Sequence, residues 1–172
     1  NSGQCCCGIE RIYVHKSRYA EFVKKAVGMV NTYKLGNPLD PETTLGPMAN
    51  IRFANEVRAQ IKEAVDAGAK AHIKTFPQDD GGAYLTPQVL TKVTHDMRVM
   101  RDESFGPVVG IMSVKNDEEA IALMNDCQFG LTASIWTSDT AKAEEIGARI
   151  ETGTVFMNRC DYLDPALCWT GC

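Results

Sequence analysis

The sequence predicts an α/β fold, a largely parallel sheet with helices on both faces, and three observations carry that reading. Residues 108–114, Val-Val-Gly-Ile-Met-Ser-Val, form a nearly continuous apolar run, the pattern of a strand covered on both sides. Short β-branched segments alternate along the chain with longer ones whose apolar residues recur at three- and four-residue steps. Such alternation requires crossover connections and so favours parallel pairing. With 172 residues and 44% hydrophobic content, the chain has the size and apolar material of one domain. It starts at Asn1 without Met and stops at Cys172, so we expect one domain over 1–172, cut at both ends from a larger protein.

The elements follow in order. Residues 9–15 are rich in β-branched and aromatic side chains and too few for a stable helix, so they predict the first strand. Ser17 can cap the next segment, where Tyr19, Phe22, Val23, Ala26, Val27 and Val30 mark an amphipathic helix running to about Lys34 and ended by Gly36. Three prolines and two glycines exclude regular structure over 36–50. A second stripe, Phe53, Val57, Ile61, Ala64 and Val65, predicts a helix stopped by Gly68, and 71–76 reads as a short strand. Residues 78–83 are a turn; Pro87 makes 84–93 at best a broken or edge strand; 95–101 reads as irregular or a single helical turn. After the central run, Asn116 and Glu119 form a capping box that starts a short helix. Residues 131–136, 140–150 and 154–158 complete the pattern as strand, helix and strand. Catalytic groups in such sheets are expected at the carboxyl ends of strands.

Composition narrows the function. A net charge of -4 with scattered Lys and Arg gives no phosphate-binding surface, so nucleic acid is not an expected partner. No segment approaches the roughly 20 apolar residues of a membrane-spanning helix, so a membrane is not an expected partner either, and we expect a cytoplasmic or other reducing location. Seven cysteines, three of them contiguous, fit disulfide pairing poorly, because a vicinal bridge forces strained geometry. No Cys-x-x-Cys pair occurs and His15, His72 and His95 are scattered, so no metal site is expected.

The opening stretch, Asn1-Ser2-Gly3-Gln4-Cys5-Cys6-Cys7, carries the most chemistry. Three thiols on a Gly-led loop cannot all be buried as small apolar side chains, and the strand that follows fixes the loop on a rigid element. The candidate is a cysteine nucleophile. The thiolate is the reactive form, and no sequence neighbour of Cys6 supplies a base for it.

Gly3-Gln4-Cys5-Cys6 resembles the cysteine signature of the aldehyde dehydrogenase superfamily, where Gly-Gln is followed by one variable residue and then the nucleophile. Four further stretches resemble that family in its order: Leu35-Gly36-Asn37-Pro38, Leu45-Gly46-Pro47, Asp102-Glu103-Ser104-Phe105-Gly106-Pro107 and Gly153-Thr154-Val155-Phe156-Met157-Asn158. The resemblance spans essentially the whole chain. It implies an aldehyde dehydrogenase catalytic domain, in which the Cys6 thiolate attacks an aldehyde, the thiohemiacetal loses hydride to NAD or NADP, and water hydrolyses the thioester to a carboxylate. It also implies that Glu103 holds the nicotinamide ribose, that Phe105 packs beside it, that Asn158 lies near the substrate pocket, and that the Cys6 main-chain N–H helps hold the oxyanion. In that family the main cofactor domain, the general-base Glu and the oxyanion-hole Asn precede the cysteine loop, so they fall outside this chain. The intact protein is expected to be a homo-oligomer acting on a small aldehyde.

Blander readings stand beside these. Glu103 could be a solvated loop carboxylate, Phe105 a core plug, and Asn158 a turn cap. The chain could be a non-catalytic module that keeps the fold, or could show only thiolate esterase chemistry. Asp161, Tyr162 and Trp169 follow the last strand and could line an entrance.

Overall fold

The computed structural model describes residues 1–160 and 163–172, so Asp161 and Tyr162 lie outside the described residues. The chain divides into two compact units, Asn1–Cys5 with Glu10–Ser113, and Cys6–Ile9 with Val114–Cys172.

The first unit is built on a four-stranded sheet. β1 (Arg11–His15), β2 (Lys70–Ala71), β3 (Gln88–Thr91) and β4 (Val108–Val114) lie in the order β1-β4-β3-β2. β3 and β4 pair parallel, with Gln88 opposite Val108, while β2 adds antiparallel to β3. Alternation along the central strands sorts the core into two faces. Val89 and Ile111 meet Val14 and the half-buried Tyr19, Val23, Val27 and Val30 of α1 (Lys16–Val30). Leu90 and Val108 point the other way, toward Ala54, Val57 and Ala64 of α2 (Ile51–Asp66) and Val99 and Met100 of the short α3 (Arg98–Arg101). Helices therefore cover both faces, as the apolar run 108–114 requires. Complete burial of Leu90, Met100 and Ile111 contributes about 1.5–3 kcal/mol apiece.

Three elements differ from their sequence expectation, each for a local reason. The strand expected over 71–76 is only Lys70–Ala71. Beyond it the Gln88 side chain takes the main-chain N–H groups of His72 and Ile73 at 2.9 and 2.8 Å and donates to the Ile73 carbonyl at 3.0 Å, while Thr86 Oγ1 accepts from Phe76 N at 2.9 Å. Side chains there do the work of a ladder. The segment containing Pro87 is the broken strand expected but lies inside the sheet rather than at its edge; β3 starts just after the proline, so the missing N–H falls outside the strand. Helix α1 is capped by the His15 ring, which accepts from Ser17 N, rather than by Ser17.

The second unit holds α4 (Asp117–Asn125), β5 (Thr132–Ile135), α5 (Thr140–Gly147) and β6 (Thr154–Met157). The expected capping box forms: Asn116 Oδ1 accepts from Glu119 N at 3.0 Å, and the Glu119 carboxylate accepts from Lys115 N at 2.7 Å. β5 and β6 pair parallel with Thr132 opposite Thr154. Among the described residues no helix is long and apolar enough to cross a membrane.

Candidate active site

The cysteine loop is shaped before its thiols are considered. Ser2 and Gly3 both have left-handed backbones, with φ of 57° and 74°. Gln4 N donates to the Asn1 carbonyl at 3.1 Å and Cys5 N to the Gly3 carbonyl at 2.9 Å, which closes the turn. Gln4 serves twice more: its Nε2 donates to the Asn1 carbonyl at 2.8 Å and its Oε1 accepts from Ala49 N at 2.7 Å. Ser2, buried at 5% exposure, donates its hydroxyl to the Gly46 carbonyl at 2.7 Å.

This geometry explains why the sequence motifs occur together. Residues 35–38 and 45–47 join through a parallel bridge between Leu35 and Leu45 and a 3.0 Å bond from Gly36 N to the Leu45 carbonyl. The second motif receives Ser2. A side chain at Gly3 would put its Cβ 2.2 Å from the Gly106 carbonyl oxygen, so the cysteine loop and the 102–107 loop touch main chain to main chain. A Cβ on Gly106 would in turn lie 2.5 Å from a methyl of Val57 on α2. Residues 1–5, 35–38, 45–47 and 102–107 are thus one chain of contacts inside the first unit.

The triplet presents its thiols unequally: Cys5 is half-buried, Cys6 exposed and Cys7 buried. No disulfide forms among the described residues, and no three His, Cys, Asp or Glu among them are grouped as metal ligands.

In the 102–107 loop, Glu103 and Phe105 are exposed while Ser104 and Gly106 are buried. Phe105 has a φ of 50°, an unusual backbone for an aromatic residue, and the residue is 39% exposed, so it is not a core plug. Ser104 Oγ donates to Gln60 Oε1 at 2.6 Å, and Gln60 is itself 1% exposed on the inner stripe of α2. The Glu10 carboxylate accepts the main-chain N–H groups of both Ser104 and Phe105 at 2.8 Å. Burial pushes the Glu10 carboxyl above its ordinary value; those two N–H groups oppose the shift, nearby Glu103 adds to it, and Arg11 lowers it. Sequence reading missed Glu10 and Gln60. The signals were an acid at the head of a strand-like run and an amide on an otherwise apolar helical stripe.

Asn158, in the second unit, directly follows β6 with a φ of 53°. Its side chain accepts from Thr137 N at 3.0 Å and donates to the Thr137 carbonyl at 2.9 Å, so both ends of the amide tie together the residues that follow β5 and β6. In chain order Glu103 and Phe105 precede β4, and Asn158 follows β6. A cavity of about 560 Å³ in the first unit is lined by Tyr33, Lys34, Gly36, Asp40 and Phe76 among others and includes none of the candidates.

An α/β chain whose glycine-rich loops brace an exposed thiol belongs to a class that can be tested against known proteins. The model of the aldehyde dehydrogenase family matches residues 1–172, and the chain belongs to that family. It is 39% identical over 171 residues to an aldehyde dehydrogenase of Paenarthrobacter nicotinovorans, covering 99% of this chain and 37% of that protein. It is 40% identical over 158 residues to the 3-sulfolactaldehyde dehydrogenase of Priestia aryabhattai, covering 92% of this chain and 32% of that protein. Among solved structures it resembles betaine aldehyde dehydrogenase from Staphylococcus aureus in complex with NAD+, with a TM-score of 0.92, 30% identity, and coverage of 99% of this chain and 35% of the other. The chain therefore spans well under half the length of the relatives it matches.

Proposed function

We propose that residues 1–172 are the cysteine-bearing catalytic portion of an NAD(P)-dependent aldehyde dehydrogenase and that Cys6 is its nucleophile. The observation that carries this is the unequal presentation of the triplet: Cys6 is the exposed thiol, on a loop fixed by Ser2, Gly3 and Gln4, while Cys7 is buried. The Cys6 thiolate adds to the aldehyde carbon, and the resulting alkoxide is held in part by the main-chain N–H of Cys6. A preorganised donor of that kind can be worth about 3 kcal/mol to the transition state. NAD or NADP, when bound, accepts the hydride that leaves the thiohemiacetal, and the thioester on Cys6 is then hydrolysed to the carboxylate.

The residues present suit that cofactor. Glu103 offers an exposed carboxylate, the acceptor a ribose diol needs, and Phe105 offers an exposed ring, both from a loop whose main chain is tied down. Most of the cofactor's contacts come from residues outside this chain. Asn158 shapes the end of β6 near the pocket through the main chain it holds, since both ends of its amide are engaged by Thr137.

The test uses the full-length protein carrying these residues, an aldehyde, and NAD or NADP, read as the absorbance of the reduced nicotinamide. Wild type gives a rise, and Cys6→Ser lowers kcat by several orders of magnitude, as loss of a nucleophile does. Equal rates for wild type and Cys6→Ser reject the assignment.

A further inference from the structure

Glu10 stands out as a half-buried acid with no part in the chemistry above. Both of its carboxylate oxygens are used, Oε2 on Ser104 N and Oε1 on Phe105 N, each at 2.8 Å. Its main-chain carbonyl accepts from Gly110 N at 3.2 Å, which ties the start of β1 to β4. Its neighbour Arg11 reaches the Met100 carbonyl at 3.4 Å, so adjacent residues hold α3 and the middle of the 102–107 loop that follows it. Phe105, whose N–H Glu10 holds, is in a left-handed conformation that a bulky side chain adopts only under constraint. Burying a carboxylate close to a second acid costs free energy, and burial does raise its pKa. An ordinary strand start would not require that cost.

We propose that Glu10 is a positioning residue for the nicotinamide cofactor: its carboxylate, by taking the Ser104 and Phe105 N–H groups, fixes the orientation in which Glu103 and Phe105 meet the ribose and ring. The inference rests on the cofactor role proposed for Glu103 and Phe105 and adds the group that sets their geometry. Gln60 anchors the Ser104 side chain from α2, and Glu10 anchors the main chain on either side of it.

The test compares Glu10→Ala, Glu10→Gln and Glu103→Gln in the full-length protein. Glutamine keeps the side-chain length and one acceptor oxygen, so it retains half of the clamp if the alanine variant folds poorly. Three quantities are measured: the KM for NAD(P), the KM for aldehyde, and hydrogen exchange of the 103–107 amides. Glu10→Ala is expected to raise the cofactor KM on the order of tenfold, the scale of a lost charge-assisted hydrogen bond. The aldehyde KM stays within about twofold, and the Ser104 and Phe105 amides exchange on the order of tenfold faster. Glu10→Gln falls between Ala and wild type in both readouts. If Glu103→Gln raises the cofactor KM while both Glu10 variants leave KM and exchange unchanged, the positioning role is overturned and the reading of Glu103 stands. If Glu10→Ala speeds exchange but neither it nor Glu103→Gln changes the cofactor KM, the loop is clamped for some other purpose and both assignments fall.

Discussion

Gly3→Ala probes the contact on which the cysteine loop depends. Alanine at a φ of 74° carries the left-handed penalty of about 1–2 kcal/mol. Its Cβ would also lie 2.2 Å from the Gly106 carbonyl oxygen and 2.7 Å from the carbonyl carbon. Both partners are main chain, so no rotamer change relieves the overlap, and overpacking of this kind costs a further 1–3 kcal/mol, roughly. The sum, about 2–5 kcal/mol, is a large share of the 5–15 kcal/mol, approximately, that holds a typical domain together. Gly28→Ala is the control: it lies inside α1 with nothing within 4 Å of a Cβ, and there alanine should stabilise by about 0.5–1 kcal/mol. Urea unfolding of the three proteins, with comparable m-values, reads both effects as opposite shifts in midpoint. The labelling rate of Cys6 by a small alkylating agent, compared with wild type, reports whether the displaced loop alters thiol presentation. A Gly3→Ala midpoint within error of wild type, with unchanged labelling, would refute the claim that the cysteine and 102–107 loops are locked main chain to main chain.

Two further predictions concern the first unit. Asp79 accepts from Thr86 N at 2.7 Å and from Arg58 at 3.0 Å; burial pulls its pKa upward, but Thr86, Arg58 and Gly81 together hold it below its ordinary 3.8. A depressed folded-state pKa gives stability that is present above the unfolded value and lost as pH falls through the folded one. Asp79→Asn should therefore cost about 1.5–3 kcal/mol at neutral pH, with the gap to wild type closing below pH 3.8 in acid unfolding curves. Gln60→Leu strands the buried Ser104 hydroxyl and should cost about 1–3 kcal/mol, whereas adding Ser104→Ala recovers much of it. Strictly additive losses in that double-mutant cycle would show that the two side chains do not act as a pair.

The fold was legible where burial alone sets the pattern. The run 108–114 and the stripes on α1 and α2 announced a sheet covered on both faces because most apolar positions there have a core partner; Phe22, Phe53 and Val65 of the stripes are exposed instead. Legibility failed where side chains stand in for main-chain pairing. Gln88 and Thr86 satisfy residues that would otherwise have extended β2, and no periodicity in 71–76 signals a partner 10 to 16 residues away. At the candidate site, Gly3 and Gly106 could be marked as needing glycine but not as needing it for each other, since that contact spans about a hundred residues of sequence. Glu10 was hidden for the same reason: its partners are the N–H groups of Ser104 and Phe105, and main-chain donors leave no trace in residue identity.

The most direct measurement is the site of covalent attachment during turnover. Full-length protein mixed with aldehyde and cofactor is quenched in acid, digested and mapped by mass spectrometry. The account predicts the acyl mass on Cys6, with Cys5 and Cys7 unmodified and no adduct in Cys6→Ser. Product formation with the acyl group on another residue, or with none on the triplet at any time in the turnover, would contradict it.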